Sequence, residues 1–187
     1  YYIPRIKFTN NPSLLTVQTV NRKQNHLQLH LVNLRMNTSK VLIEEKSKTY
    51  IDIKNNLNFL NNNNFFWLSE RDGYNHIYQY LFKRDILNQI TTGKWEVTTL
   101  YKYNSQTKEI YFGAAKYSSI ERGVYSIDSN GNNLRTLTQE SGYNGATFNY
   151  NGSKFIHSYS DEKTPPKYFL RLTKDGSKLK ALLHNNI

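Results

Sequence analysis

The sequence of 187 residues contains no cysteine, and its apolar residues never gather into a long run. The absence of cysteine excludes disulfides, thiolate metal sites and a cysteine nucleophile, although it does not identify a compartment. No apolar stretch approaches the roughly 18 residues of a membrane-spanning helix. The first residues, YYIPRIKF, lack the features of a signal peptide. We expect neither a membrane segment nor a targeting signal, and the chain begins as if cut from a longer protein.

Blocks of like charge are also missing. The net charge is +11, but the 25 Lys and Arg residues are spread in ones and twos. Scattered cations are typical of a solvated surface, and no zinc-finger spacing or RNA-binding sheet motif accompanies them. We therefore expect no nucleic-acid partner.

What the sequence does contain is short alternating apolar runs rich in aromatic residues, which make up 14% of the chain. Examples are GVYSID (123–128) before NLRTLT (133–138), KFIHSYS (154–160) after ATFNY (146–150), and KYFLRLT (167–173) before KLKALL (178–183). Alternation with period two favours strands, so the predicted class is all-β. Residues 40–50 leave one or two helical turns as an alternative.

Turn pairs separate these runs. Asn130–Gly131, Asn151–Gly152 and Asp175–Gly176 predict tight hairpins of type I′, in which both central residues have positive φ.

The runs repeat in groups of roughly 40 residues, the period of four-stranded propeller blades. We predict a single partial β-propeller domain over residues 1–187, with about four four-stranded antiparallel blades at 3–48, 56–94, 97–141 and 145–186.

Candidate metal and catalytic residues are few. His26 and His30 have a spacing that suits a metal on a helix, but HLQLH alternates as a strand does, so we predict no metal site and no cofactor.

The stretch SERDGYNHIYQY (69–80) offers Ser69, Asp72 and His76, the residue types of a hydrolase triad. Three partners within eight residues of one hairpin would hardly reach triad geometry. The alternative is a tight turn at Asp72–Gly73, followed by a strand with His76, Tyr78 and Tyr80 on one face. We favour this structural interpretation and predict no catalytic residue.

This stretch followed by QITTGKWEV (89–97) resembles the N-terminal β-propeller of the dipeptidyl peptidase IV family of serine peptidases. The opening IPRIKFTNN, ERGVYSI (121–127) and FIHSYSD (155–161) look like bacterial members in the same order. The matching signature residues, expected to be structural, are Glu70, Asp72, Gly73, Tyr74, His76, Tyr78, Trp95 and Glu96. Trp95 is expected to wedge between blades, and Glu96 to be hydrogen-bonded at the rim.

The resemblance implies an eight-bladed propeller, of which this chain is similar to the second half, followed by an α/β-hydrolase domain that carries the catalytic Ser, Asp and His. It implies an exported parent, periplasmic or at the cell surface, in which this part gates and positions peptide substrates. The nucleophile elbow G-x-S-x-G is absent from this sequence.

Members of the family anchor the substrate's amino terminus with two consecutive Glu, but that segment lies upstream of the matching region. Glu44–Glu45 are therefore expected to be solvated surface. The segment TYIDIKNN (49–56) is expected to line the cavity, without an assigned substrate contact.

The partners implied are a peptide substrate and the hydrolase domain. The alternative is a stand-alone propeller-like interaction module. Open blade edges also predict self-association of the chain.

Overall fold

The computed structural model describes residues 1–53, 57 and 59–183, and the side chain of Leu183 is not included. The strands are β1 Tyr2–Phe8, β2 Leu14–Val20, β3 His26–Asn33, β4 Thr38–Lys46, β5 Phe65–Ser69, β6 His76–Leu81, β7 Ile86–Gln89, β8 Glu96–Asn104, β9 Glu109–Ala115, β10 Gly123–Asp128, β11 Arg135–Thr136, β12 Tyr143–Phe148, β13 Lys154–Ser160, β14 Lys167–Leu172 and β15 Lys178–Leu183. One 3₁₀ turn, Asn61–Asn63, is the only helical element among these residues. The described part of the chain holds no helix with the length and apolarity of a membrane span.

The strands form antiparallel sheets in which sequential strands are neighbours. Three sheets have four strands, β1-β2-β3-β4, β8-β9-β10-β11 and β12-β13-β14-β15, and the remaining sheet has the order β5-β6-β7. The predicted all-β, blade-like fold is confirmed. In the predicted blade 56–94, the described residues supply three strands and one isolated bridge, Phe59 to Phe65, where a fourth strand was expected. Residues 54–56 and 58 of that region, and 184–186 of the last predicted blade, lie outside the described residues.

Two compact units make up the chain. The first contains Tyr1–Gly73 and Ile77–Gln89, and the second contains Tyr74–His76 and the chain from Ile90 onward. The blade limits and the single domain predicted from the sequence stay predictions.

The core of the first unit lies between its two sheets. It consists of Val20, Leu27, Leu29, Ile43, Leu57, Phe65, Trp67, Tyr78 and Tyr80. All five residues of β5 are buried, because both faces of this strand are covered. β1 is different, since six of its seven residues are exposed.

The core of the second unit is built on Tyr111, Val124, Leu137 and Phe155. Phe148 joins it by stacking on Tyr111 and on Phe155, with ring centroids 4.6 and 5.2 Å apart. Large planar side chains suit the space between two packed sheets, because they fill it with few rotatable bonds.

The hairpins occur where the Asn-Gly and Asp-Gly pairs predict them, but the predicted turn type is wrong. Only the glycines have positive φ, at +84° for Gly131, +71° for Gly152 and +74° for Gly176. The amide of Gly131 donates to Asp128 O and that of Gly152 to Asn149 O, at 3.0 and 3.1 Å. These are longer loops closed by a left-handed glycine, a geometry that also follows strand twist.

The remaining strand predictions differ in detail. β10, β13 and β15 have the predicted limits, whereas NLRTLT forms only the two-residue β11. Residues 38–46 form β4, so the helical alternative for this region is wrong.

Two turn glycines of the second unit pack on the backbone of a preceding strand end. A Cβ added at Gly131 would lie 2.8 Å from Ile90 O, and one at Gly176 would lie 2.3 Å from Leu137 O. Ile90 and Leu137 both precede a threonine, in QIT and TLT. In both cases, a turn of the following sheet thus packs on the Ile or Leu of an [Ile/Leu]-Thr pair.

Gly176→Ala should destabilise the chain by about 2–4 kcal/mol, because strain at positive φ is added to a clash with the Leu137 carbonyl. Gly152→Ala is the matched control, since its φ is similar and its nearest neighbour is the flexible Asn104 side chain at 3.2 Å. We expect the control to cost about 1–2 kcal/mol. Urea unfolding of both variants measures the difference, and equal losses would refute the proposed close packing.

Candidate functional site

The stretch SERDGYN forms a turn that ends at Gly73. The amide of Gly73 donates to Glu70 O at 2.9 Å, and the glycine has φ of +102°. No atom lies within 4 Å of an added Cβ at this position, so backbone conformation alone explains the glycine. The predicted turn at Asp72–Gly73 is therefore present.

Ser69 and Asp72 both hold this turn in the first unit. The Ser69 hydroxyl accepts hydrogen bonds from the Arg71 amide at 3.2 Å and from Arg71 Nε at 3.0 Å. The Asp72 carboxylate accepts one from the Gln89 side chain. Neither arrangement activates a serine hydroxyl as a nucleophile.

His76 is fully buried in the second unit, and both of its ring nitrogens have partners. Nε2 lies 3.0 Å from Gly93 O, which can only accept, so Nε2 carries the proton. Nδ1 then accepts from the Thr91 hydroxyl at 3.0 Å. An imidazole held this way has no free nitrogen for proton transfer. The partners of Ser69, Asp72 and His76 thus match the structural interpretation of this stretch.

Glu45 is not solvated surface, contrary to the prediction. Its side chain is 12% exposed, and Oε1 accepts from Trp67 Nε1 at 2.9 Å and from Arg71 at 2.6 Å. Glu44 is 43% exposed and pairs with His26 and Lys46, as surface residues do. The two neighbours differ because successive residues of β4 point to opposite faces of the sheet.

Arg71 connects this carboxylate to Tyr78. The guanidinium carbon lies 5.2 Å from the centre of the Tyr78 ring, a cation–π distance. Burial, followed by the charge of Asp72, raises the pKa of Tyr78 to about 12. The Tyr78 hydroxyl is buried, and among the described residues it has no hydrogen-bond partner.

Four aromatic rings form a ladder in the second unit. Trp95 lies 5.0 Å from His76 and 6.1 Å from Phe112, and Phe112 lies 5.7 Å from Tyr125. Trp95 thus packs between the rings of His76 and Phe112, and its position as a wedge between blades stays a prediction. Tyr74, 37% exposed, lies beside His76 with centroids 6.5 Å apart.

Glu96 does not match its prediction. The residue is exposed, and within the described ranges its carboxylate makes no hydrogen bond or ion pair.

Backbone clamps join strand ends to the next sheet of the second unit. Asn75 O accepts from the Val97 amide at 2.7 Å, and the Asn75 side chain donates to Val97 O. Arg122 repeats this pattern: its amide donates to Gly142 O at 3.0 Å, and its carbonyl accepts from the Asn144 amide at 2.9 Å.

A buried polar network centred on Arg171 lies beside the second clamp. Arg171 is 4% exposed, and it donates to Glu140, to Gly176 O at 2.7 Å and to His157 Nδ1 at 3.0 Å. Since Nδ1 accepts, Nε2 carries the proton and donates to Asn144 Oδ1 at 2.8 Å. The Asn144 amide group donates in turn to the carbonyls of Arg122 and Glu140, each at 2.8 Å.

The network lowers the pKa values of both of its titratable side chains, His157 and Glu140. Burial, and then the charge of Arg171, lowers the pKa of His157 to about 4. Burial would raise the pKa of Glu140, but hydrogen bonds from Lys178 and its own amide, with the charges of Arg171 and Lys178, lower it to about 2. At neutral pH the imidazole is neutral and the carboxylate is charged.

A cleft of about 320 Å³ opens next to this network, at the start of β10. Its walls are the loop 116–122 and the segment 139–142, and its floor includes Gly123, Tyr125, Thr136 and Thr138. In an antiparallel sheet of sequential strands, alternate connections lie at the same ends of the strands. The connections 116–122 and 139–142 therefore lie together.

Metal ligation has no support in the geometry of the described residues. They contain no group of three or more His, Asp or Glu able to hold an ion. His26 and His30 lie on β3, where His26 pairs with Glu44 at 2.8 Å and His30 with the Thr19 hydroxyl at 3.0 Å.

Several residues of these sites were missed from the sequence. Arg171 follows the inward-pointing Phe169 at spacing two in KYFLRLT, which is the one signal that could have identified a buried cation. Glu45, Arg71 and Glu140 carry no such signal, because their partners are distant in sequence. Tyr125 is recognisable as a core residue, but not as the floor of a cleft.

Comparison with known proteins gives a consistent result. Residues 1–166 match the family model described as the dipeptidyl peptidase IV (DPP IV) N-terminal region. The chain is 30% identical over 174 residues to dipeptidyl peptidase 4 of Trichophyton rubrum, covering 89% of this chain and 22% of that protein. It is 28% identical over 121 residues to dipeptidyl peptidase 4 of Arthroderma otae, covering 64% of this chain and 16% of that one.

A solved structure agrees with these relatives. The crystal structure of Porphyromonas gingivalis dipeptidyl peptidase 4 superposes with a TM-score of 0.88 and 34% identity, over 97% of this chain and 26% of that one. The chain thus spans about a quarter of the length of the proteins that it matches.

Replacing Glu45 by Ala should destabilise the chain by about 1–3 kcal/mol, because it leaves the Trp67 N–H and the Arg71 guanidinium without their acceptor. Glu44→Ala, one residue away and solvated, is the control and should cost less. Chemical denaturation followed by tryptophan fluorescence gives both values. A larger loss for Glu44→Ala would contradict the assignment.

The free energy of unfolding should decrease as the pH is lowered, in a window set by the pKa of His157. Its folded pKa, about 4, lies below the unfolded value near 6.5. The neutral imidazole therefore stabilises the fold fully above pH 6.5, and this contribution is lost as the pH falls toward 4. Unfolding free energies at pH 7.5, 6.5, 5.5 and 5 should decrease in the unmodified chain and in His30→Gln. His157→Gln should lack this slope, and a slope that persists would disprove the assignment.

Proposed function

This chain belongs to the dipeptidyl peptidase IV family, within its N-terminal region, and on that premise we propose that it is the non-catalytic propeller part of a dipeptidyl peptidase IV-like serine exopeptidase. In the intact protein it would limit access to small peptides and position them for cleavage by an α/β-hydrolase domain. We propose an exported parent, periplasmic or at the cell surface.

The observation that carries this proposal is the state of Ser69, Asp72 and His76. Each side chain has hydrogen-bond partners that hold a turn or a strand end, at distances of 3.0 to 3.2 Å for Ser69 and His76. Ser69 and Asp72 thus hold the turn of this corner, and His76 holds the start of the strand that follows it. Such a corner suits a wall that orients a substrate, and the chemistry requires residues from elsewhere.

The connections at one end of the strands support a role in positioning the substrate. Alternate connections gather there, and in the second unit they form a polar cleft between residues 116–122 and 139–142. Loops carried on a rigid scaffold are the usual location of binding residues. The segment 49–56, predicted to line the cavity, belongs to the first unit, and its residues 54–56 lie outside the described residues.

A stand-alone interaction module is the second candidate, and β1 favours it. Tyr2, Ile3, Ile6 and Phe8 are 52 to 61% exposed on a strand at the edge of its sheet. Exposed apolar edge strands tend to pair with another chain, which also supports the proposed self-association.

The gene that encodes this chain decides between the two candidates. We expect the reading frame to continue into a G-x-S-x-G elbow with later Asp and His, and the full-length product to release dipeptides from chromogenic dipeptide amides. The 187-residue chain, purified alone, is the matched control and should release none. A stop codon directly after Ile187, or a full-length product without serine-dependent activity, would favour the interaction module.

A further inference from the structure

The cleft at the start of β10 contains an unusual concentration of polar side chains without partners. Among the described residues, the side chains of Tyr117, Glu121, Tyr125, Thr136 and Gln139 line the cleft and make no hydrogen bond. Tyr117 and Gln139 are exposed, Glu121 and Thr136 are half-buried, and Tyr125 is buried. Polar groups that converge on a concave surface without protein partners can hydrogen-bond a ligand or water.

Tyr125 is the floor of this cleft. The residue is 3% exposed, and its hydroxyl lies above Gly123, where an added Cβ would be 2.6 Å from the oxygen. Glycine at 123 therefore leaves the room that the hydroxyl occupies. Burial, followed by the charges near it, raises the pKa of Tyr125 to about 12, so the hydroxyl stays protonated and can both donate and accept.

The aromatic ladder holds this hydroxyl in place. The Tyr125 ring is stacked on Phe112, which is stacked on Trp95, at 5.7 and 6.1 Å. A ring fixed on one side by two others presents its polar end at a constant position, which lowers the entropy cost of binding.

Charged side chains of both signs line the cleft. Lys116 and Arg122 stand against Glu121 and Glu140. Glu140 is neutralised by Arg171 and Lys178, while Arg122 Nη1 donates to the carbonyls of Ser119 and Glu121, each at 2.8 Å. Charges of both signs thus line the cleft, and its uncharged groups, among them the hydroxyls of Tyr125 and Thr136, suit a ligand with both donors and acceptors.

The rim adds an aromatic surface. Tyr117 is 75% exposed, with the Lys116 ammonium 4.6 Å from its ring centre. Peptides are usually held through their backbone by strand edges or backbone amides. Here the free groups are side-chain hydroxyls, one amide and one carboxylate beside an exposed ring, which match the vicinal hydroxyls and the C–H face of a sugar.

We propose that the cleft floored by Tyr125 is a carbohydrate-binding site that takes one neutral pyranose unit. The Tyr125, Thr136, Gln139 and Glu121 side chains contact its hydroxyls, and the Tyr117 ring contacts its C–H face. The cleft volume of about 320 Å³ is at the lower end of the range for ligand pockets, about 300–1,000 Å³. The proposal does not depend on the proposed peptidase function.

Saturation-transfer NMR on the 187-residue chain tests it, with methyl glycosides of glucose, galactose, mannose and N-acetylglucosamine as probes. A blocked neutral tetrapeptide is the competing probe. We expect transfer to at least one glycoside, and an affinity about tenfold weaker for Tyr125→Phe, which removes one hydrogen bond and keeps the ring. Thr136→Val, which removes a second hydroxyl from a less buried position, should weaken binding similarly.

Tyr143→Phe is the matched control, because Tyr143 is 59% exposed in the same unit and does not line the cleft. Its affinity should equal that of the unmodified chain. The proposal is overturned if no glycoside shows transfer at millimolar concentration, if only the tetrapeptide does, or if neither Tyr125→Phe nor Thr136→Val weakens binding. None of these results bears on whether the full-length product is a peptidase.

Discussion

The buried guanidinium of Arg171 joins three separate parts of the second unit. Its three donors reach Glu140, His157 and the carbonyl of Gly176, each from a different part of the chain. A buried cation is tolerated only where such partners surround it, because an unpaired one would cost several kcal/mol. Through His157 it orients Asn144, and Asn144 holds the carbonyl of Arg122. The wall of the cleft therefore depends on a residue that does not line it.

This network and the aromatic ladder have different physical effects. The ladder of His76, Trp95, Phe112 and Tyr125 is a set of dispersion contacts that tolerate small shifts. The hydrogen-bonded network tolerates little, since a single tautomer of His157 satisfies both Arg171 and Asn144. The ladder contains His76 and Trp95 of the family signature, whereas the network contains none of its residues.

The strands were predictable to the residue where alternation ended at a turn signal, as in GVYSID and KFIHSYS. The prediction failed for NLRTLT, because the two-residue β11 ends where Leu137 and Thr138 bond to β10 without forming a ladder. It failed for the turn type because Asn-Gly suits two kinds of hairpin loop, and the residues beside the pair decide between them. The prediction for Glu45 was wrong for another reason. Its partners are Trp67 on β5 and Arg71 in the turn after β5, and no local sequence pattern indicates such distant contacts.

The two glycine contacts also bear on how such a chain can be copied or cut. Gly131 packs on Ile90 O and Gly176 on Leu137 O, so the carbonyl that each turn contacts follows the last strand of the sheet before it. A duplicated segment that began and ended with one sheet would separate each turn from the carbonyl that it contacts. The segment that carries complete packing runs instead from one [Ile/Leu]-Thr pair through the next turn glycine. The repeat unit defined by packing is therefore shifted along the sequence relative to the repeat unit defined by one sheet.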